Sequence, residues 1–137
     1  MTGVQTCALP ISGGDGKDTL VGGDGNDVLN GGAGKDTASF AGASAGVKVD
    51  LAAGTATGAG TDTLSGIENV VGSSHDDTIS GTSGNNVISG GAGDDKITGL
   101  GGDDTLTGGK GNDSLNGGTG TDTCLGGDGT NTLLACE

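Results

Sequence analysis

The sequence predicts an all-β protein, a parallel solenoid built from stacked nine-residue repeats. Ten segments follow the pattern G-G-x-G-x-D-x-U-x, in which U is an apolar residue. Glycine accounts for 34 of the 137 residues, whereas aromatic residues make up only 1% of the chain. This composition excludes a globular core of large aromatic side chains. The apolar eighth position of each repeat must therefore supply a narrow core.

One repeat combines a turn with a short strand. In residues 108–116 the glycines occupy positions where a turn needs positive φ or close approach of two backbones. The last three residues, Ser114 to Asn116, alternate polar, apolar and polar, as in a half-buried strand. A strand of three residues cannot bury its apolar side chain alone, so we expect the repeats to stack.

The first twelve residues are treated separately from the repeats. Residues 1–12, which include Cys7, resemble a translated sequencing adapter. A signal peptide is the alternative, but the stretch lacks a basic start and its apolar run is short. We therefore exclude residues 1–12 from the fold prediction as non-native sequence. On this interpretation the native N-terminal part of the protein is missing.

Two repeat arrays are predicted on either side of an irregular segment. The short array spans residues 13–39, and the main array spans residues 72–134. Between them, residues 40–71 break the nine-residue period but contain alternating apolar stretches, so we predict a β insertion there. The units begin at Gly13, Gly22, Gly31, Gly72, Gly81, Gly90, Gly99, Gly108, Gly117 and Gly126.

The sixth position of the repeat carries either an aspartate or an asparagine. Stacking places these side chains about 4.8 Å apart, which is electrostatically unfavourable unless a cation lies between the layers. Oxygen ligands at flexible spacing, with no second His or Cys nearby, favour calcium over zinc or copper. The predicted sixth-position ligands are Asp18, Asp27, Asp36, Asp77, Asn86, Asp95, Asp104, Asp113, Asp122 and Asn131.

On these repeats the chain resembles the repeats-in-toxin (RTX) family of serralysin-type proteases, secreted lipases and pore-forming toxins. The resemblance covers residues 13–134 apart from the insertion. It implies a right-handed parallel β-roll in which each unit lies under the unit after next, with calcium ions between their loops. It also implies that the lower loop binds through its second and fourth carbonyls and the upper loop through its first and third. Both sixth-position side chains complete the site.

Carried onto this sequence, the resemblance implies two sites with complete ligand sets. One joins Gly91, Gly93 and Asp95 to Gly108, Lys110 and Asp113. The other joins Leu100, Gly102 and Asp104 to Gly117, Thr119 and Asp122. We count the neighbouring loop residues Gly99, Gly101, Gly109 and Gly111 with these sites.

Other positions depart from the motif. Asn86 and Asn131 offer a neutral oxygen, so sites that contain them should bind calcium more weakly. His75 lies at the fourth position of its unit, where the resemblance uses only a backbone carbonyl. Within the insertion, Asp62 and Glu68 are interpreted equally as ligands of an extra calcium ion or as surface charges.

The chain is strongly acidic, with 18 acidic and 5 basic residues and a net charge of -13. Such a chain repels itself, and a single file of apolar side chains does not offset the entropy of ordering so many glycines. We therefore predict that it does not fold without metal. Six pairs of units stand in the stacking relation, so six calcium ions would nearly neutralise the protein. We expect neither nucleic acid as a partner nor direct insertion into a membrane.

The last residues contain a cysteine pair. Cys124 takes an apolar eighth position, and Cys136 lies in the tail formed by residues 135–137. A tail that folds back would allow a disulfide that caps the open end of the solenoid. The alternative is one buried thiol and one free thiol in the tail.

The sequence does not indicate an enzyme. It lacks His-Glu-x-x-His and Gly-Lys-Thr segments, and residues 42–46 read Gly-x-Ser-x-Gly, but the single histidine leaves no second one for a catalytic relay. We therefore expect a secreted, extracellular calcium-binding module that folds on binding calcium, not an enzyme. The resemblance implies a type I secretion apparatus as a partner. The alternatives are the C-terminal part of a secreted metalloprotease, lipase or alginate epimerase, or a calcium-stiffened adhesin, each with an upstream catalytic or adhesive domain.

Overall fold

A computed structural model describes residues 10–137, so the predictions for residues 1–9, including Cys7, lie outside the described residues. All regular elements in the described part are β-strands. No helix in this part is long and apolar enough to cross a membrane. The strands are β1 (Pro10–Gly16), β2 (Thr19–Leu20), β3 (Val28–Gly34), β4 (Thr37–Ser39), β5 (Lys48–Asp50), β6 (Thr55–Thr57), β7 (Thr61–Ser65), β8 (Asn69–Val71), β9 (Thr78–Ser80), β10 (Val87–Ala92), β11 (Lys96–Gly101), β12 (Thr105–Lys110), β13 (Ser114–Thr119), β14 (Thr123–Asp128) and β15 (Thr132–Leu134).

The strands form two sheets, and successive repeats alternate between them. One sheet has nine strands in the order β1-β3-β7-β6-β5-β9-β11-β13-β15, and the other has six in the order β14-β12-β10-β8-β4-β2. Parallel partners in the main array are two repeats apart, as in Ile97 beside Leu115. Two repeats therefore make one turn. The predicted all-β fold, a parallel roll with each unit under the unit after next, is confirmed.

The core is a file of eighth-position side chains between the two sheets. Alternation along each short strand points these residues inward and their neighbours outward. The buried members are Leu20, Leu29, Ala38, Ile79, Ile88, Ile97, Leu106 and Leu115. Leu133, predicted in the same file, is 45% exposed because β15 is the edge strand of its sheet. Cys124 is only partly buried.

Residues 10–12 belong to the fold, contrary to our exclusion of them. In β1, Ile11 pairs with Leu29 of β3 in parallel register. Ile11 thus takes the place of an eighth-position residue, and it packs partly buried against the core. The alternation of this segment suffices for strand pairing, whatever its origin.

The insertion continues both sheets. An antiparallel meander joins β5 to β6 and β6 to β7. Its outer strands pair in parallel with the two arrays, β7 with β3 and β5 with β9. In the other sheet, β8 lies between β4 and β10. Strand β6 was not predicted. Phe40, Val47, Val49 and Ala56 extend the buried core through this region.

The C-terminal tail lies against β14. Cys124 and Cys136 are joined in a disulfide, with their Cα atoms 5.7 Å apart. The Glu137 N–H also donates a hydrogen bond of 2.8 Å to the Asp122 carbonyl oxygen. These two contacts hold the tail at the open end of the six-stranded sheet.

Glycine is required where stacked loops touch. Gly109 has a φ of 122°, and a β-carbon there would overlap the Gly91 carbonyl oxygen of the loop below. Gly84 differs, because its φ is not positive and a β-carbon would meet only the Thr82 hydroxyl oxygen at 3.8 Å. A glycine is therefore required for steric reasons at position 109 but not at position 84.

We predict that Gly109→Ala lowers the free energy of unfolding by roughly 2 kcal/mol or more, because it combines a left-handed backbone with backbone overlap. Gly84→Ala should leave stability unchanged or raise it by up to about 1 kcal/mol, since it restricts the unfolded chain. Chemical denaturation in saturating calcium measures both. Equal losses for the two variants would contradict the steric argument.

Candidate metal sites

The sixth-position side chains stack into two columns at the loop edge of the sheets. Each of the ten predicted residues directly precedes a strand, so the parallel register brings equivalent side chains above one another. Most are fully buried; Asp95, Asp104 and Asp113 each expose 2% of their surface. The first column contains Asp77, Asp95, Asp113 and Asn131, and the pair Asp27 and Asp62 lies in the same sheet but is separated from this column by strands β6 and β5. The second contains Asp18, Asp36, Glu68, Asn86, Asp104 and Asp122.

One carboxylate oxygen of each pair fixes the stacking. The backbone N–H of Asp95 donates to Asp113 Oδ1 at 2.9 Å, eighteen residues away. The same bond joins Asp104 N–H to Asp122 Oδ1 at 2.8 Å. The carboxylate of the upper unit therefore holds the backbone of the lower unit in register.

The second carboxylate oxygen has no hydrogen-bond partner. Leaving a buried carboxylate oxygen unpaired is unfavourable, because desolvation is not offset by a hydrogen bond or a counter-charge. Within residues 10–137, the buried Oδ2 atoms without a partner are those of Asp18, Asp27, Asp36, Asp62, Asp95, Asp104, Asp113 and Asp122. These atoms fit a bound cation.

Backbone carbonyls and the unpaired oxygens lie on the same side of the first glycine of a unit. At Gly108, a β-carbon would overlap Asp113 Oδ2 and would lie 2.6 Å from the Gly126 carbonyl oxygen. At Gly99, a β-carbon would overlap Asp104 Oδ2 and would lie 2.6 Å from the Gly117 carbonyl oxygen. The first glycine thus lets a carboxylate of one unit approach a carbonyl of the unit above. Carboxylate and carbonyl oxygens together are the donor set that calcium prefers.

The other predicted carbonyls are placed in two ways. The Gly91 and Gly93 carbonyl oxygens face the α-carbons of Gly109 and Gly111 in the loop above. The Lys110 carbonyl oxygen instead accepts a hydrogen bond of 2.9 Å from the Gly93 N–H. Within residues 10–137, no three His, Cys, Asp or Glu side chains converge on one point. A metal would therefore depend on backbone carbonyls as well as on carboxylates.

Electrostatics also distinguish these carboxyls. Burial raises the pKa of Asp95 to about 6 from the ordinary 3.8; the hydrogen bond from Asp77 N–H opposes the shift, and the charges of Asp77 and Asp113 add to it. Burial likewise raises the pKa of Asp104, and the charge of Asp122 contributes. The ionised form of these groups is thus disfavoured until a positive charge approaches.

In two loops of the main array, hydrogen bonds within the loop satisfy the oxygens of the sixth-position side chain. The Ser73 N–H donates to Asp77 Oδ2 at 2.6 Å, and the Ser73 hydroxyl donates to Asp77 Oδ1 at 2.8 Å. The next unit repeats this arrangement, with Thr82 N–H donating to Asn86 Oδ1 at 2.7 Å. A hydroxyl residue at the second position therefore satisfies the sixth-position side chain locally. His75, in the first of these loops, is exposed.

The last predicted ligand is held by hydrogen bonds at both ends of its amide. Asn131 Oδ1 accepts from the Asp113 N–H at 2.7 Å. Its Nδ2 donates to the Gly127 carbonyl oxygen at 3.2 Å. The amide thus keeps the register of the column but brings no charge to it.

The fifth position forms a further column, which the sequence analysis missed. The Asp94 N–H donates to Asp76 Oδ1, and the Asn112 N–H donates to Asp94 Oδ1, both at 2.8 Å. These side chains are exposed and link successive loops directly. The only signal in the sequence is the frequency of Asp and Asn at this position, as in Asn85 and Asp103.

Comparison with known proteins identifies the repeats. The family model of the RTX calcium-binding nonapeptide repeat (4 copies) matches residues 11–39, 71–106 and 98–133, which together make up more than half of the chain. No curated protein matches the chain. Rolls of these repeats are calcium-binding structural modules and are not catalytic. From the matched repeats, their stacking and the carboxylate columns, we conclude that the chain belongs to the RTX calcium-binding nonapeptide repeat family.

Proposed function

We propose that the chain is a module that orders itself by binding several calcium ions between stacked loops. The observation that carries this proposal is the set of buried Oδ2 atoms without hydrogen-bond partners. A carboxylate in this environment either takes up a proton or contacts a cation. At neutral pH a divalent cation is the better partner, because one ion serves two carboxylates of the same column.

The donor chemistry favours calcium over magnesium. Calcium accepts six to eight oxygen ligands in flexible geometry, whereas magnesium demands a near-ideal octahedron and keeps several waters. A loop pair that offers carbonyls and two carboxylates suits the larger ion. Because the site forms only when two units stack, the free energy of calcium binding contributes directly to folding.

The hydrogen bonds of the sixth-position side chains predict an order of calcium affinity among the sites. We expect the strongest binding at the pairs Asp95 with Asp113 and Asp104 with Asp122, whose Oδ2 atoms are buried and unpaired. The pair Asp18 with Asp36 shares this property. Sites that include Asp77, Asn86 or Asn131 should be weaker, because their side chains have hydrogen-bond partners or lack charge.

The proposed setting is extracellular. In our proposal the chain stays unfolded at low cytosolic calcium, leaves the cell through a type I secretion apparatus and folds outside, where calcium is about millimolar. The disulfide between Cys124 and Cys136 supports an oxidising location. The module would then assist the export and folding of an upstream catalytic or adhesive domain.

We predict a cooperative transition from coil to β structure when calcium is added to residues 10–137, because the acidic columns repel one another until an ion binds. Far-UV circular dichroism during a titration from chelator to millimolar calcium measures the transition. Magnesium at the same concentrations should leave most of the chain unfolded. A full β spectrum in chelator would contradict the proposed folding switch.

We predict that Asp113→Asn raises the calcium midpoint roughly tenfold or more, equivalent to about 1.4 kcal/mol. The amide keeps an oxygen for the Asp95 N–H but removes the charge at the unpaired position. The control is Asp94→Asn, which makes the same charge change in the exposed fifth-position column and keeps an acceptor for the Asn112 N–H. Equal midpoints for the two variants would refute the ligand assignment.

Acidification should weaken calcium binding, since protons compete for Asp95, whose pKa is about 6. At pH 5 the midpoint should be roughly tenfold higher per such site than at pH 7. For the metal-free chain, which we expect to be largely unfolded at neutral pH, the sign is opposite. A raised folded-state pKa means that stability increases as pH falls through about 6 towards 3.8. Calcium titrations at pH 7 and pH 5 test the competition by protons, and the β content in chelator at the same two pH values tests the effect on the metal-free chain. A calcium midpoint that does not depend on pH would contradict the proposed competition.

A further inference from the structure

Residues 57–65 have the pattern of a repeat in which only the first glycine is replaced. The segment reads Thr-Gly-Ala-Gly-Thr-Asp-Thr-Leu-Ser, with Gly58, Gly60, Asp62 and Leu64 at the second, fourth, sixth and eighth positions. Gly58 and Gly60 have φ values of 121° and 148°. The corresponding glycines of regular units also have positive φ, as Gly109 does at 122°.

This segment stacks on the second unit of the short array, residues 22–30. Leu64 of β7 pairs in parallel with Leu29 of β3, at the register of two eighth positions. The separation of Asp27 and Asp62 is 35 residues, whereas regular partners are 18 apart. The meander of the insertion thus returns the chain to the repeat path.

Three hydrogen bonds donated by backbone N–H groups reproduce those of a regular pair of units. The Gly25 N–H donates to the Ala59 carbonyl oxygen at 2.8 Å, as Gly93 does to Lys110. The Asp27 N–H donates to Asp62 Oδ1 at 2.9 Å. The Thr63 N–H donates to the Asp27 carbonyl oxygen at 2.8 Å.

The two carboxylates also carry the unpaired oxygens that distinguish the metal sites. Asp62 is 1% exposed, and its Oδ2 has no hydrogen-bond partner. Asp27 Oδ2 is also buried without a partner, and it points back to the first residue of its own loop, 2.9 Å from a β-carbon built on Gly22. The Gly25 carbonyl oxygen faces Gly60 so closely that a β-carbon there would overlap it.

We infer that residues 57–65 form an eleventh repeat and that a calcium ion binds between its loop and the loop of residues 22–27, held by Asp27, Asp62 and the Gly25 carbonyl. The inference rests on the proposed calcium-dependent function. Residues 57–65 lie outside the family match, which ends at residue 39 and resumes at residue 71, whereas Gly25 and Asp27 lie within it. Such an ion ties the short array to the insertion and hence to the main array.

The test counts calcium ions bound per chain by native mass spectrometry in saturating calcium. Asp62→Asn keeps an acceptor for the Asp27 N–H, removes the charge at Oδ2 and should bind one ion fewer than the unmodified chain. The control is Asp50→Asn, which makes the same charge change in the insertion, keeps an acceptor for the Ala53 N–H and should bind the full number. An unchanged count for Asp62→Asn would overturn the inference.

A double variant tests whether the two carboxylates share one ion. Asp27→Asn alone, and combined with Asp62→Asn, should each lose one ion. Loss of two ions in the double variant would overturn the shared site. If the unmodified chain itself binds no calcium, the proposed function fails. If only the Asp62→Asn count is unchanged, the further inference fails alone.

A measurement on the unmodified chain avoids any failure of the variants to fold. A paramagnetic lanthanide that replaces calcium should broaden the nuclear magnetic resonance signals of the Gly25 and Thr63 amides. Broadening confined to the loops of the main array at saturation would overturn the site.

Discussion

The two oxygens of each sixth-position aspartate link the fold to the metal. One oxygen accepts the backbone N–H of the unit below, as Asp113 does from Asp95, and so fixes the register of the stack. The same bond places the other oxygen in a buried position without a partner. A chain that adopts this register buries a row of carboxylates, and in our proposal their neutralisation couples stacking to cation binding.

The glycine content follows from the same geometry. Carbonyl oxygens of one loop lie against the α-carbons of the next, so a side chain at Gly109 or Gly111 would overlap backbone. Space between the sheets admits only one aliphatic residue per repeat, such as Ile97 or Leu106. The apolar core is accordingly thin, and in our proposal bound calcium ions supply the stabilisation that it lacks.

The sequence was informative where the period is strict. The nine-residue spacing predicts the buried file and the stacking of equivalent positions, whereas the stacking of Asp95 with Asp113 was implied by the family resemblance. The segment 57–65 escaped notice because Thr57 replaces the first glycine and the spacing to its partner unit is irregular. The hydrogen bonds that close the loops of Ser73 and Thr82 were also missed, since a hydroxyl at one position carries no periodic signal. The pairing of Ile11 with Leu29 was missed because residues 1–12 were excluded for their apparent origin, and strand pairing does not depend on origin.

The buried carboxylates of the two columns differ along the molecule in whether the protein itself supplies their hydrogen-bond partners. Next to the insertion, Asp77 accepts hydrogen bonds from Ser73 and from the Val47 N–H at 2.7 Å, so this layer is satisfied by the protein itself. Towards the C-terminus, Asp104, Asp113 and Asp122 keep unpaired oxygens. Because each turn of a solenoid contacts only its neighbours, the proposed dependence on calcium is uneven, weakest where hydroxyl groups close the loops and strongest in the turns that follow.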